Sequence, residues 1–438
     1  MPPARPRVAV TGIGVVSPFG VGREPFWDHI RRGVSATRAI SAFDASQFPC
    51  RVAAPLPAFS VDDAPVVEGS TDEEARLSEL LGDRLAGAGG DRADPRRYSR
   101  ASLAAVVAAR EAWVDAGLRL GEPEAGVIIG TGAGGIDIGE AQYEEFFSDG
   151  WKRVTPYAIP VSICGMVSSE ISIALRLHGI SHVLSTGCTS STDAVGYAAS
   201  LLEQGQAEVL LTGGADACVT PGMILGFSRM KVMATRFNDR PGQASRPFDV
   251  DRDGFVLGEG AWMLVLEREE RARARGARVY ARVEGYGSTC DAYHRVQMDP
   301  GGRQIVRAME LAIARSGRAL EEIGYVNYHG TSTPLNDAVE ARCVRRVFGA
   351  LADRVPGSST KSMIGHPQGA SGAAGLVATS LALSRGFLPP TINLERPDPE
   401  CDLDFLPNEG RAARPAAALC NCLGFGSKNS AIVLGAPA

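Results

Sequence analysis

The chain has 438 residues, 45% of them hydrophobic and 22% charged, with a formal net charge of −5. That length supports a large core and two domain-sized halves, while the weakly acidic balance gives no electrostatic footprint for nucleic acid or an anionic membrane as partner. No uncharged apolar stretch reaches the roughly 20 residues of a membrane span, and nine cysteines without CxxC pairs argue against a disulfide framework or a structural zinc site.

Short runs rich in Val and Ile alternate with longer Ala-rich segments, the pattern of an α/β protein. The chain enters a strand-like run, "RVAVTG", almost at once, so no signal peptide is expected and the cytoplasm is the expected location. Residues 60–97 are acidic, Gly- and Pro-rich and weakly periodic, which predicts a surface excursion. A helix follows over Ala101–Ala116, ended by Gly117, and then the strand "AGVIIGT", closing on Gly130-Thr131. A helix over Val167–Leu177, the strand "HVLST", a helix over Thr189–Glu203 and the strands "AEVLLTGG", "AWMLVLE" and "RVYARVEG" come next. Then the earlier layout returns: a helix over Arg303–Ser316, Gly317, and the strand "YVNYHG", closing on Gly330-Thr331 with the same spacing between the two glycines. Such an echo predicts a duplication, with halves over residues 1–270 and 271–438. Helices over Ala338–Phe348 and Ser371–Ser384 and the strand "SAIVLG" complete the series.

One cysteine stands in an unusual setting. In "STGCTSS", Cys188 follows an apolar strand and a glycine and opens a helix. Unpaired backbone N–H groups and the helix dipole there favour thiolate, and predict a pKa below the free value of about 8.5. The turn resembles the nucleophile elbows of serine enzymes. Cys50, Cys164, Cys218, Cys290, Cys343, Cys401 and Cys420 lack that setting and read as small buried hydrophobes. Of six histidines, His29, His178, His182 and His294 have no flanking motif. His329 ends "YVNYHG" and leads into "GTSTPLND", and His366 lies in "STKSMIGHPQGASGAAG", where small residues permit close backbone approach. Both sit where α/β folds place catalytic groups. Two histidines without an adjacent acid suit paired N–H donors for a carbonyl or enolate oxygen, serving decarboxylation more than acyl loading. Lysine is scarce: only Lys152, Lys231, Lys361 and Lys428 occur.

Six ordered stretches, "GCTSS", "ASRPFDVDRDGFVLGEGAWMLVLE", "YHGTSTPLND", "SSTKSMIGHPQGASGA", "LPPTINLERPDPECDLDF" and "LGFGSKN", resemble the β-ketoacyl-acyl carrier protein synthases over essentially the whole chain. The resemblance implies a thiolase fold, duplicated βαβαβ halves in a five-layer α-β-α-β-α arrangement. It implies Cys188 as acyl-accepting nucleophile, His329 and His366 as the histidine pair, Lys361 as the supporting lysine, and Asp337 and Glu340 as supporting acids. Phe425 falls at the gating phenylalanine, whose backbone N–H joins that of Cys188 as oxyanion hole. Ala133, Ala158 and Phe227 fall along the acyl tunnel, the first two where bulkier residues are common, which predicts a roomy tunnel. No metal or organic cofactor is implied, because substrates arrive on the phosphopantetheine of an acyl carrier protein. A two-fold partner is implied too, using the "GTGAGG" loop and the helix after "ICGM".

"STGCTSS" resembles the ketosynthase-alpha subunits of type II polyketide synthases, which pair with a cysteine-less chain-length factor, whereas "HGTSTP" is closer to the homodimeric fatty acid elongation enzymes. Tyr328, before the histidine, and "GFGSKN" depart from both patterns. A thiolase also carries "GHPxGASG" and a Cys-x-Gly, matched here by Cys422–Gly424, but it lacks the His-Gly-Thr loop and "SSTKSM"; Cys422 therefore reads as packing. A non-catalytic chain-length-factor-like subunit would lack Cys188.

Overall fold

Strand β1 (Val8–Ser17) is buried along its entire length. Its unalternating apolar sequence is that of a strand covered on both faces. Gly12 and Gly14 interrupt it because a helix lies directly against the backbone: a methyl group on Gly14 would stand 1.8 Å from the carbonyl oxygen of Ala108. That helix, α1 (Arg100–Asp115), offers alanines to the contact and is capped by the Ser99 side chain accepting from the Ser102 N–H. The computed structural model describes residues 6–67 and 98–437.

The remaining principal strands are β2 (Gly126–Gly130), β3 (Ser181–Leu184), β4 (Val209–Ala217), β5 (Leu257–Arg268), β6 (Ala281–Cys290), β7 (Ile323–Asn327), β8 (Gly357–Ser358), β9 (Ala417–Gly424) and β10 (Lys428–Gly435). They run in the order β8-β7-β9-β10-β6-β1-β5-β4-β2-β3. On one side β2 pairs in parallel with β3 and β4, and β4, β5 and β1 continue antiparallel. On the other side β7 pairs in parallel with β8 and β9, and β9, β10 and β6 continue antiparallel. The two series meet where β1 pairs antiparallel with β6 over Val8–Val10.

The helices repeat the symmetry. Helix α5 (Arg303–Ser316) presses on β6 as α1 presses on β1, and a methyl on Gly287 would stand 2.1 Å from the carbonyl oxygen of Ala308. Both helices end on a left-handed glycine, Gly117 (φ 66°) and Gly317 (φ 69°), the C-terminal cap a β-carbon would strain. Between the two series of strands lie α4 (Ser190–Glu203) and α7 (Ser371–Arg385), whose alanines share one buried cluster with residues of both series. The outer helices cover two further clusters, so the section through the molecule is α-β-α-β-α.

Several elements depart from expectation, among them the helices Arg23–Arg31, Ile136–Asp149 and Pro221–Arg229, which were not expected. Strand β9, "AALCNCLG", was not among the expected strands; it is buried on both faces, so nothing alternates, and Cys, Asn and Gly dilute its β signal. Helix α6 (Pro334–Phe348) begins at Pro334, not Ala338, because proline suits the first helical position. Of the expected excursion, residues 68–97 lie outside the described residues; over 60–67 the chain is not wholly superficial, since Ala64 and Val67 are buried in the α1 cluster. Helices α2 (Ile136–Asp149) and α3 (Met166–Leu175) form the flank beyond β2 and β3. No helix of the described residues is long and apolar enough to cross a membrane.

Candidate active site

Cys188 sits in a 3-10 turn, Gly187–Thr189, that feeds directly into α4. Gly187 has φ 74°, the conformation that lets the chain turn sharply from β3 into the helix. From the facing hairpin, the backbone N–H of Phe425 comes close enough to the Cys188 sulfur to favour its thiolate. The same stretch lies against the Cys188 N–H, since a methyl on Gly424 would come within 3.3 Å of that nitrogen. The backbone N–H groups of Cys188 and Phe425 are thus both near the sulfur.

His329 follows β7. Glu340, on α6, accepts the His329 N–H and the Gly330 N–H, one on each carboxylate oxygen at 2.8 Å. Asp337, one turn earlier, accepts from Phe248 and Ser332 and faces Arg252 at 3.7 Å. The backbone of His366 is fixed against the start of β5: its N–H donates to the Val256 carbonyl at 2.7 Å, and its own carbonyl accepts from the Gly258 N–H at 3.0 Å. Nε2 of His366 lies 3.1 Å from the Cys188 sulfur, and the two imidazoles stand perpendicular with centroids 5.3 Å apart. One ligand-capable atom from each of Cys188, His329 and His366 lies within 4.8 Å of the others. Lys361 is buried as well, its charge acting on all three.

Burial dominates the electrostatics. It pushes the Cys188 thiol up to about 12, with neighbouring Cys422 adding to the rise; the Phe425 N–H and Lys361 only oppose it. The expected low-pKa thiolate is thus corrected: the dipole and donors are present, but desolvation outweighs them. Burial, then the Lys361 charge, holds both imidazoles well below their ordinary range, and burial lowers Lys361 itself. Glu340 is pushed up to about 7 by burial, against its two backbone donors. The resting site is a neutral thiol beside neutral imidazoles, with the base placed to take the proton as attack begins.

A cavity of about 320 Å³ opens onto Cys188, His329 and His366, with Lys231, Asn336 and Phe425 on its walls. A groove of about 410 Å³ between α4 and β6, lined by Glu203, Glu284 and Arg315, lies away from these groups. Phe227 packs edge-on to Phe255, which in turn stands edge-on to His366. Ala133, Phe227 and Phe425 pack on one shared apolar cluster, whereas Ala158 lies elsewhere, in a short helix beside exposed Tyr157 and Ile159. His29 stacks on Phe19 and His182 on Tyr197, away from the site.

Two residues of the site were not singled out for it. Asp216 on β4 is fully buried and accepts from Thr131, Gly132 and Ala133, and from the Gly369 N–H, so it ties the "GTGAGG" loop to the loop of His366. Cys422 on β9 is the second. Its sulfur lies 3.0 Å from the Cys188 carbonyl oxygen and 3.6 Å from Nδ1 of His329, so the place where it packs is directly against two of the site's residues. Its Cys-x-Gly spacing was the available signal.

Residues 5–272 match the family model for the β-ketoacyl synthase N-terminal domain, and residues 280–395 match that for the C-terminal domain. The chain is 39% identical over 426 residues to 3-oxoacyl-[acyl-carrier-protein] synthase 2 of Synechocystis, spanning 97% of this chain and 96% of the relative. It is 40% identical over 448 residues to the tetracenomycin polyketide synthase ketoacyl synthase alpha subunit of Streptomyces glaucescens, spanning 99% and 98%. Among solved structures, the ishigamide ketosynthase/chain length factor superposes with a TM-score of 0.86 at 33% identity, covering 99% of this chain and all of that one. A type II polyketide ketosynthase solved with its acyl-carrier protein, AntDE:AntF, superposes with a TM-score of 0.84 at 28% identity, covering 99% of this chain and 100% of that one.

Proposed function

The chain belongs to the β-ketoacyl synthase family, and we propose that it performs a decarboxylative Claisen condensation on carrier-bound substrates in a type II polyketide pathway. The 3.1 Å contact between Nε2 of His366 and the Cys188 sulfur, at the floor of a cavity shared with His329, carries this reading.

Cys188 attacks the carbonyl of an acyl thioester as His366 takes the thiol proton. The tetrahedral oxyanion falls to the backbone N–H groups of Cys188 and Phe425, each such donor being worth roughly 3–4 kcal/mol in acyl transfer. Collapse expels the carrier thiol, which recovers the proton, and leaves the chain on Cys188. A malonyl thioester then enters and loses CO2, and its enolate oxygen is held by the histidines while its carbon attacks the acyl-cysteine. The carbanion comes from the lost carboxylate, so the scheme calls on no cofactor beyond the phosphopantetheine of the acyl carrier protein. Asp337 and Glu340 hold the His329 loop, Lys361 supplies the buried positive charge, and Ala133 and Phe227 shape the acyl path, to which Ala158 contributes only through a partner's surface. The division into halves at residue 270 belongs to this reading, and places Cys188 in the first and the histidines in the second.

The tetracenomycin subunit supports the polyketide assignment, and with it a chain-length-factor partner. Fatty acid elongation as a homodimer is the second reading, favoured by the Synechocystis relative. Reconstitution with acyl and malonyl carrier proteins, with and without a cysteine-less ketosynthase-like partner, separates them. Full activity alone on saturated acyl chains returns the protein to fatty acid synthesis. A thiolase would place Cys422 against substrate, but among the residues lining the cavity Cys422 is absent.

A further inference from the structure

Cys422 touches two groups that the proposed chemistry uses, and has no part in it so far. Its sulfur lies 3.0 Å from the carbonyl oxygen of Cys188, 3.6 Å from Nδ1 of His329 and 3.9 Å from the Ser371 hydroxyl. The thiol is fully buried and keeps its hydrogen, since burial pushes it up to about 11. A sulfur and a carbonyl oxygen at 3.0 Å repel unless the thiol hydrogen lies between them, so the S–H donates to Cys188. Only sulfur lone pairs are then left to face His329. A neutral imidazole has one N–H, and opposite an acceptor that hydrogen sits on Nδ1.

We propose that Cys422 is a positioning residue for the condensation: bridging the Cys188 carbonyl and Nδ1 of His329, it holds that imidazole in the Nδ1–H form and turns a bare Nε2 towards the reacting groups. This rests on the ketosynthase reading. Because Cys422 does not line the cavity, it acts through His329 and not on substrate.

The consequence is a division of labour between the histidines. Condensation takes up one proton. The extender enters as a carboxylate, its bond to CO2 breaks, a carbon–carbon bond forms at the acyl carbon, and the bond to Cys188 breaks to leave a thiolate that must be protonated. The bare Nε2 of His329 is where that proton enters from water. Carried on Nε2 it makes His329 an N–H donor that holds the enolate oxygen, and once the carbon–carbon bond has formed it passes to the Cys188 thiolate across a cluster in which the three reacting side chains lie within 4.8 Å. His366, already against the sulfur, serves the thiol.

The test uses the full chain labelled with ¹⁵N-histidine, which gives only six ring systems to assign. His329, identified by its absence in His329→Gln, should show a protonated Nδ1; protonation at Nε2 overturns the proposal. Cys422→Ser, whose oxygen can bridge the same two groups, should keep that tautomer and release CO2 from malonyl carrier protein within about threefold of wild type. Cys422→Ala should lose the fixed tautomer and about tenfold in CO2 release, while Cys188 loading stays within about twofold. An alanine variant that decarboxylates like wild type refutes it; if that variant does not fold, the wild-type spectrum and the serine variant decide. A wild-type enzyme that neither loads nor decarboxylates would sink the ketosynthase reading and leave the tautomer result standing.

Discussion

Nε2 of His366 lies 3.1 Å from the sulfur of Cys188, and both side chains are buried. The pair is neutral at rest: burial holds the thiol up at about 12 and the imidazole well below its ordinary range. The site is therefore built to make a thiolate during attack, when the proton can cross one short contact, and not to store one.

That has a direct reactivity test. Alkylation of Cys188 by iodoacetamide needs free thiolate, so its rate should rise about tenfold per pH unit and show no plateau through pH 9. Peptide mass spectrometry isolates Cys188 from the other cysteines. A plateau at or below pH 8 would show a resting thiolate–imidazolium pair and refute the neutral site.

The same contact separates the two histidines. With His366 on the sulfur, His366→Ala should slow acyl loading of Cys188 by roughly 10²-fold as well as impairing CO2 release. His329→Ala should leave loading near wild type and collapse CO2 release alone. Single-turnover loading from acyl carrier protein and trapped CO2 give the two readouts. Equal loading defects in both variants would contradict the assignment.

Glu340 turns position into stability. It satisfies the buried N–H groups of His329 and Gly330, and leaving a buried donor without a partner costs about 1–3 kcal/mol each. Glu340→Ala should lower the melting temperature, and Glu340→Gln, which keeps one acceptor oxygen, should lower it less. The linkage has a definite sign. The folded pKa is raised from 4.5 to about 7, so the stability that protonation lends is present below pH 4.5 and lost as pH rises towards 7. The stability of wild type relative to Glu340→Gln should fall across that window; a gap that widens instead would mean the carboxylate is the favoured form.

Much of this site was legible because its chemistry is local. Cys188 and His329 announce themselves by a strand end and a glycine, and His366 by a glycine and small neighbours after the short helix Lys361–Ile364, features that sequence displays directly. The paired echoes at Gly117 and Gly317 likewise reflect two similar helices against two similar strands. What escaped is what arises only when distant segments meet. Asp216 gains its role from N–H groups on two other loops, and Cys422 from the backbone of a residue 234 positions away. The Cys188 pKa escaped for the same reason: the helix dipole is written in the turn, but desolvation depends on everything packed around it.

Chain length tests the acyl path. Ala133 is partly buried on the cluster that carries Phe227 and Phe425, and its N–H is fixed by Asp216 at 3.0 Å. A larger side chain there cannot swing away with the loop, and overpacking costs about 1–3 kcal/mol. Ala133→Phe should shorten the products while Cys188 still loads short acyl groups. Products of unchanged length, read by mass spectrometry, would place the tunnel elsewhere.

The last prediction concerns the partner. Among the described residues strand β3 pairs only with β2, leaving a sheet edge with Ser181 and His182 exposed. Unprotected edges invite pairing with another chain. Around it the segment from α2 to α3 exposes Phe147 at 79%, Trp151 at 72%, Ile159 at 71%, Ile163 and Ile173. Single exposed apolar residues are ordinary, but such a concentration on one segment marks an interface. A ketosynthase-like chain of the same fold would continue β3 edge to edge and cover those side chains, and it would bring its own surface to Ala158. The polyketide reading makes that chain a cysteine-less chain-length factor. Co-expression followed by native mass measurement should give a one-to-one heterodimer, with this chain alone poorly soluble or poorly active. Ile159→Glu together with Ile173→Glu should abolish pairing and leave Cys188 alkylation unchanged. A stable, fully active homodimer indifferent to the partner would overturn the heterodimer, and a soluble, active monomer would overturn the interface itself.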